Sequence, residues 1–145
     1  MRKFFACALC VLCSLSACSP SVVWADDVFE IREKMFVTQT NDIYLNPDEY
    51  LGRTIKLEGL FGTLDDVAPV CRYVYRYGPG CCGYDANAGF EVVWKNEERE
   101  YPSDNDWVEA AGVLENYEED GEKFLRLALK SLVVKTKRGK ERVEQ

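Results

Sequence analysis

The stretch Arg53-Thr54-Ile55-Lys56-Leu57-Glu58-Gly59-Leu60-Phe61-Gly62 carries the clearest strand pattern in the chain. Polar or charged residues at positions 54, 56 and 58 alternate with apolar residues at positions 55 and 57, which is the period of a half-buried β-strand. Gly59 interrupts the pattern and indicates a bend or bulge, because a residue without a side chain lets a strongly coiled strand turn a corner. We therefore expect a curved strand of the kind found in small barrels.

Four further strand patterns follow this one along the chain, at residues 70–77, 89–95, 107–114 and 123–134. The fourth strand of the five contains Gly112, which has the same expected role as Gly59. Five strands with glycines inside the first and fourth predict a mainly β fold, a five-stranded OB-like barrel of Greek-key topology. A sandwich of the same strands is the alternative.

The flanks of the barrel are less regular. Phe29 and Phe36 lie seven residues apart, which predicts a short N-terminal amphipathic helix over residues 26–36. We divide the chain into a tether and short helical segment at residues 18–45, the OB-like domain at 46–134, and a charged C-terminal tail at 135–145 that we expect to be frayed.

The N-terminus resembles a bacterial lipoprotein signal. Arg2 and Lys3 precede an uncharged apolar run that ends in Leu15-Ser16-Ala17-Cys18, a lipobox-like tetrapeptide. The run is shorter than the roughly 20 residues that a membrane-spanning helix needs. We interpret residues 1–17 as a signal peptide and Cys18 as the site of lipid attachment. This places the protein in the cell envelope, held on a membrane by its lipid anchor and facing outside the cytoplasm. Simple secretion with cleavage after Ala25 is the alternative.

The composition narrows the possible functions. The 145 residues include 25 acidic and 18 basic side chains, for a net charge of −7, and they include no histidine. An acidic surface repels phosphate backbones, so we expect no nucleic-acid partner. The absence of histidine excludes Ser-His-Asp and Cys-His catalysis and removes the commonest zinc ligand. We therefore do not expect an enzyme.

A cysteine cluster marks the loop between the second and third predicted strands, in the segment Arg76-Tyr77-Gly78-Pro79-Gly80-Cys81-Cys82-Gly83-Tyr84-Asp85-Ala86. Adjacent cysteines seldom bond each other because the bridge strains the peptide. Either of the two could instead face Cys71 on the preceding strand. This pattern allows a structural disulfide from Cys71 to Cys81 or Cys82, or a zinc-like site with three thiolates and the Asp85 carboxylate. A third possibility is a redox-active thiol whose thiolate is favoured by Arg76.

A possible ligand surface lies on the same strands. Tyr73, Tyr75, Arg76 and Tyr84 fall on the second and third strands or on the loop between them, and OB-folds bind ligands on that face. A half-exposed sheet face without a ligand is the simpler interpretation of alternating tyrosines.

The segment from Arg76 to Ala86, together with Asp106-Trp107-Val108 and Gly112, resembles the soluble C-terminal domain of an uncharacterised bacterial family. Members of that family are encoded beside putative permeases and carry an R-x4-C-C-x-x-D-A segment and a D-W-V-x-x-x-G segment. The resemblance covers residues 46–134 and implies the OB-like fold. Family members usually have two membrane spans before this domain, where this chain has its lipoprotein-like signal.

Together these features predict a membrane-tethered, extracytoplasmic lipoprotein with a non-enzymatic OB-like domain that binds a ligand or partner without a cofactor. The resemblance makes an envelope protein or a permease a possible partner. The alternative is an extracytoplasmic metal-binding accessory protein linked to a permease, with zinc held by the cysteine cluster.

Overall fold

The computed structural model describes residues 27–66, 69–95 and 99–144, with the side chains of Tyr84 and Asp85 left out. The predicted signal peptide, Cys18 and most of the tether lie outside these residues. The elements are β1 Val28–Glu30, α1 Phe36–Leu45, β2 Thr54–Leu64, β3 Cys71–Gly80, β4 Gly83–Val93, β5 Trp107–Glu119 and β6 Glu122–Val134. Short 3-10 turns at Glu33–Met35 and Pro47–Glu49 flank α1.

The strands close into a barrel. Neighbouring strands follow the order β1-β2-β3-β4-β6-β5, and β5 pairs back onto β2. Strands β2, β3 and β4 form an antiparallel meander. Strand β6 lies between β4 and β5, and it runs parallel to β4 and antiparallel to β5. This is the Greek-key order of an OB-fold. The prediction of a mainly β, OB-like barrel is therefore confirmed, with one difference: the short strand β1 adds a sixth strand beside β2.

The barrel core forms because alternate residues of each strand point inward. Phe61, Val74 and Phe90 are paired across β2, β3 and β4, and all three are fully buried. Gly112 lies at a bulge in β5, where an added Cβ would come within 2.7 Å of the Ala128 carbonyl oxygen. At Gly59 an added Cβ would come within 2.5 Å of the Tyr75 carbonyl oxygen. Both predicted corner glycines thus lie where a neighbouring strand leaves no room for a side chain.

The prediction of a helix over residues 26–36 is wrong. Residues 28–30 form strand β1, and the α-helix begins only at Phe36. The backbone of β1 pairs with β2, and the Phe29 ring packs edge-on against Tyr50 at 5.2 Å. The spacing of Phe29 and Phe36 fits an amphipathic helix, but pairing with the edge of β2 gives residues 28–30 an extended conformation. The helix itself carries β-branched residues of modest helix propensity and is held by burial of Phe36, Val37, Thr40 and Ile43.

The prediction of a frayed C-terminal tail is also wrong for the residues that the structure describes. The Tyr77 amide donates to the Glu141 carbonyl, and the Val143 amide donates to the Tyr77 carbonyl, each at 2.9 Å. The Val143 side chain is buried. The charges of this segment lie on its outer side, so composition alone suggested a solvated tail. Within the described residues no helix combines the length and apolar character needed to cross a bilayer.

Candidate functional site

Alternation along β3 places tyrosines on the outer face of the barrel. Val74, Arg76 and Gly78 are buried, whereas Tyr73 and Tyr75 between them are half-exposed. The outer residues of β4 opposite these tyrosines are Glu91 beside Tyr73 and Gly89 beside Tyr75. In an OB-fold this is the face of the second and third barrel strands, which binds ligands in many members.

Two glycines make room for the tyrosine rings. Gly62 on β2 is paired with Tyr73, and a Cβ on Gly62 would come within 2.8 Å of the Tyr75 ring. On the other side, a Cβ on Gly89 would come within 2.1 Å of the Val74 carbonyl oxygen. Because neither neighbouring position carries a side chain, the Tyr75 ring lies against bare backbone and a concave surface remains above it.

Helix α1 supplies a third aromatic ring. Tyr44, near the end of the helix, stacks on Phe90 with ring centroids 5.1 Å apart. Its hydroxyl donates a hydrogen bond of 2.9 Å to the Gly89 carbonyl. The ring is about half exposed while the hydroxyl is held against β4. Tyr44 therefore fixes the end of α1 to the barrel and forms a wall of the concave surface.

The result is a groove, called here the tyrosine groove, formed by two adjoining cavities of about 330 and 470 Å³ that share Tyr44 and Tyr73. Tyr75 and Asn87 line the first cavity. The second is lined by one further group of aromatic and charged residues: Asp48, Glu91, Tyr117, Lys123 and Phe124. Cavities of a few hundred Å³ with aromatic walls and a few polar groups are typical of small-ligand sites.

A tyrosine–carboxylate pair lies in the second cavity. The Tyr117 hydroxyl on β5 donates to the Glu91 carboxylate on β4 over 2.5 Å. The Tyr117 ring packs against Phe124 at 5.6 Å, and the Arg126 guanidinium lies 4.5 Å from its centroid. This arrangement fixes one carboxylate oxygen of Glu91 and holds the aromatic wall in place.

The tyrosine hydroxyls of the groove resist ionisation. Burial, followed by the negative charge of Glu91, raises the pKa of Tyr44 to about 12. Burial also raises the pKa of Tyr73 to about 12, with a further contribution from Cys71, and that of Tyr75 to about 12, with a further contribution from Tyr77. Burial and the hydrogen bond to Glu91 raise the pKa of Tyr117. The hydroxyls therefore keep their protons at neutral pH, so none of the four adds a negative charge to the groove.

Arg76 does not belong to this surface. It points inward from β3, and only 2% of its surface is exposed. Its guanidinium lies 4.8 Å from the ring centroids of both Phe36 and Trp107. The prediction of Arg76 as a ligand-surface residue, or as a neighbour that favours a cysteine thiolate, is wrong, because strand alternation places it on the opposite side from Tyr73 and Tyr75.

The structure also separates the three cysteines that were expected to meet. Cys71 is the first residue of β3 and pairs with Leu64, whereas Cys81 and Cys82 form the turn after the last residue of β3. A strand of this length spans on the order of 30 Å. All three are thiols rather than half-cystines. The predicted disulfide from Cys71 to either member of the pair is therefore wrong, and so is a metal site built on all three thiolates.

The pair itself is exposed at the tip of the β3–β4 hairpin, between the paired residues Gly80 and Gly83. The two sulfur atoms are 3.4 Å apart. Within the described part of the chain no group of three or more cysteine, aspartate or glutamate side chains is placed to hold a metal ion. The side chains of Tyr84 and Asp85 are not described, so their predicted roles stay predictions.

Sequence reasoning found Tyr73 and Tyr75 but missed Tyr44, Glu91 and Tyr117. Tyr44 enters the groove from a helix that was predicted ten residues too early. Glu91 and Tyr117 come together only because β4 and β5 both pair with β6. The fourth predicted strand ends at residue 114, whereas β5 continues to Glu119. Extending its alternation by a few residues would have placed Glu115 and Tyr117 on one face of the strand and so pointed to Tyr117.

Comparison with known proteins identifies the family to which the chain belongs. No curated protein matches the chain. The model of one protein family, described as the DUF1980 C-terminal domain, matches residues 18–139 and so covers most of the sequence. The resemblance seen in the sequence to the C-terminal domain of an uncharacterised permease-associated family is confirmed. The chain belongs to the DUF1980 C-terminal domain family.

Proposed function

We propose that this chain is a lipid-anchored, non-enzymatic binding domain that works outside the cytoplasm and takes its ligand in the tyrosine groove. The observation that carries the proposal is the pair of adjoining cavities that share Tyr44 and Tyr73 on the binding face of an OB-like barrel. The ligand is an uncharged, ring-bearing molecule, and an oligosaccharide fits best.

Two properties of the groove support this ligand class. OB-folds bind mainly oligonucleotides and oligosaccharides. An oligonucleotide is disfavoured because the chain is acidic and because Glu91 and Asp48 line the second cavity. The exposed faces of Tyr73 and Tyr44 offer flat surfaces for sugar rings, while Glu91 and Asn87 offer acceptors and donors for sugar hydroxyls.

The anchoring part of the proposal rests on the tetrapeptide Leu15-Ser16-Ala17-Cys18. The family match begins at residue 18, the residue that would begin the lipidated chain. A lipid at Cys18 and a barrel beginning near residue 28 leave about ten residues as a tether, long enough to hold the groove clear of the bilayer surface.

Anchoring is tested by replacing Cys18 with alanine in a bacterial expression host. The wild-type chain should fractionate with membranes and incorporate labelled fatty acid, whereas Cys18→Ala should do neither. A variant that remains on membranes would contradict the lipid anchor.

Ligand class is tested by calorimetry with probes of the two classes that OB-folds bind. We expect heat of binding from tetramers of glucose or N-acetylglucosamine and none from a single-stranded oligothymidylate at physiological salt. Binding of the oligothymidylate with no response to any sugar would contradict the proposal.

A further inference from the structure

The tip of the β3–β4 hairpin carries a feature that the tyrosine groove does not use. Cys81 and Cys82 occupy the two-residue turn between Gly80 and Gly83, and both are exposed. Gly83 has a φ of +112°, a backbone conformation that residues other than glycine rarely adopt. The turn geometry brings the two sulfur atoms to 3.4 Å from each other. In an extended strand, adjacent side chains would instead point to opposite faces.

We propose that Cys81 and Cys82 form a redox-active dithiol that exchanges electrons with small-molecule disulfides. The sulfur atoms need to approach by roughly 1.4 Å to reach the length of a disulfide bond, about 2.05 Å. Gly80 and Gly83 on either side of the turn allow its backbone dihedral angles to change, because glycine reaches a wider range of these angles than other residues do. A bridge between adjacent residues closes a small ring and strains the peptide, and strained disulfides are easily reduced. Such a bridge is suited to exchange rather than to stabilising the fold.

The reaction proceeds in two exchange steps. The thiolate of one cysteine attacks a sulfur of the small disulfide, which forms a mixed disulfide and releases one small thiolate. The thiolate of the neighbouring cysteine then attacks the protein sulfur of the mixed disulfide, which forms the Cys81–Cys82 bond and releases the second small thiolate. The dithiol loses two electrons and two protons, and the small disulfide becomes two thiols.

Cys71 provides an internal control. It lies at the far end of β3, and its thiol faces the Pro69 carbonyl at 3.4 Å. With a whole strand between it and the pair, it cannot resolve a mixed disulfide at the hairpin tip, so it should form at most a mixed disulfide of its own.

Peptide mapping tests the proposal. The reduced protein is incubated with oxidised glutathione, the remaining thiols are alkylated, and the chain is cut with trypsin. Cleavage places Cys81 and Cys82 together in the peptide 77–95 and Cys71 in the peptide 57–72. We expect the peptide 77–95 to lose two hydrogens and to carry neither alkyl nor glutathionyl groups. If excess reduced glutathione is added before alkylation, it should reduce the bridge, so that both cysteines are then alkylated.

Single variants separate the two steps. Cys81→Ser and Cys82→Ser should each stop at a glutathionyl adduct on the remaining cysteine, while Cys71→Ser should behave as the wild-type chain does. The proposal is overturned if wild-type peptide 77–95 stays doubly alkylated or gains two glutathionyl groups. It is equally overturned if the bridge forms but resists reduced glutathione, or if the bridge joins the peptides 57–72 and 77–95.

Discussion

The buried guanidinium of Arg76 and the partly exposed carboxylate of Glu33 form an ion pair, with Nη1 of Arg76 3.1 Å from Oε2 of Glu33. Nη1 also donates to the Lys140 carbonyl at 3.0 Å, and Nε donates to the Glu58 carbonyl at 2.7 Å. The same Glu33 oxygen accepts from the Lys140 amide at 3.0 Å. Arg76 thereby connects β3 to β2, to the turn before α1 and to the C-terminal segment.

Arg76→Ala should destabilise the domain strongly. The substitution leaves the carbonyls of Glu58 and Lys140 without their donor and opens a space between Phe36 and Trp107. We expect a loss of about 3 kcal/mol in the free energy of unfolding, measured by urea denaturation. Arg32→Ala, at an exposed side chain next to Glu33, should cost less than about 0.5 kcal/mol. Equal losses in the two variants would contradict a structural role for Arg76.

The same ion pair gives stability a defined pH dependence. The hydrogen bond from the Lys140 amide, supported by the Arg76 guanidinium, holds the pKa of Glu33 below its usual range despite some burial. Since the folded-state pKa is lower than the unfolded-state pKa, this contribution is complete above the unfolded value. It is lost as the pH falls through the folded value.

We expect the free energy of unfolding to fall as the pH drops from about 5 to about 3, the range in which such a carboxylate takes up its proton. Glu33→Gln should be less stable at neutral pH and should show a shallower decline. The matched control is Glu118→Gln, at an exposed position of β5, which should keep the wild-type slope. Parallel curves for Glu33→Gln and the wild-type chain would show that Glu33 contributes nothing to the acid response.

Two glycines of the β3–β4 hairpin, Gly78 and Gly89, differ in the space around them. A methyl group on Gly89 would meet backbone atoms of Val74 and Tyr75 at 2.1 and 2.6 Å. At Gly78, by contrast, the nearest atom is Cγ2 of Val37 at an ordinary contact distance of 3.6 Å. Gly89→Ala should therefore cost about 1–3 kcal/mol of unfolding free energy, whereas Gly78→Ala should be neutral or slightly stabilising. Thermal unfolding of both variants checks this, and a larger loss for Gly78→Ala would contradict the packing described for β4.

Local pattern was sufficient to predict the barrel. Alternation in 53–62 and glycines at 59 and 112 indicated curved strands, and all five expected strands are present. The same local signals failed where a distant strand decides the conformation. Val28–Glu30 is extended because β2 offers an unpaired edge, and residues 139–143 are ordered because β3 and Glu33 bind their backbone.

The site was only partly predictable for the same reason. Tyr73 and Tyr75 share one strand and therefore one face, which alternation reveals. Arg76 is one residue beyond Tyr75 and so lies on the other face of the strand. Its place in the segment from Arg76 to Ala86 does not show this. Cys71 and Cys82 looked close because a hairpin was expected between them, but the turn begins at Cys81, beyond the whole length of β3.

The central claim is that the tyrosine groove binds a ring-bearing ligand, and Tyr73 is one of the two residues, with Tyr44, that line both of its cavities. Removing the Tyr73 ring should abolish stacking and weaken binding about tenfold, which corresponds to about 1.4 kcal/mol. Tyr73→Phe keeps the ring and should retain most of the affinity. Val133→Ala removes an exposed apolar side chain of β6 that lines neither cavity and should leave the affinity unchanged.

The most direct measurement is a calorimetric titration of the wild-type chain and of Tyr73→Ala, Tyr73→Phe and Val133→Ala with the oligosaccharide that binds best. Backbone amide shifts recorded by NMR during the same titration locate the contact. We predict weakened binding in Tyr73→Ala alone, with the largest shifts at Tyr44, Gly62, Tyr75 and Gly89. Equal affinities in all four proteins, or shifts confined to residues outside both cavities, would contradict the account.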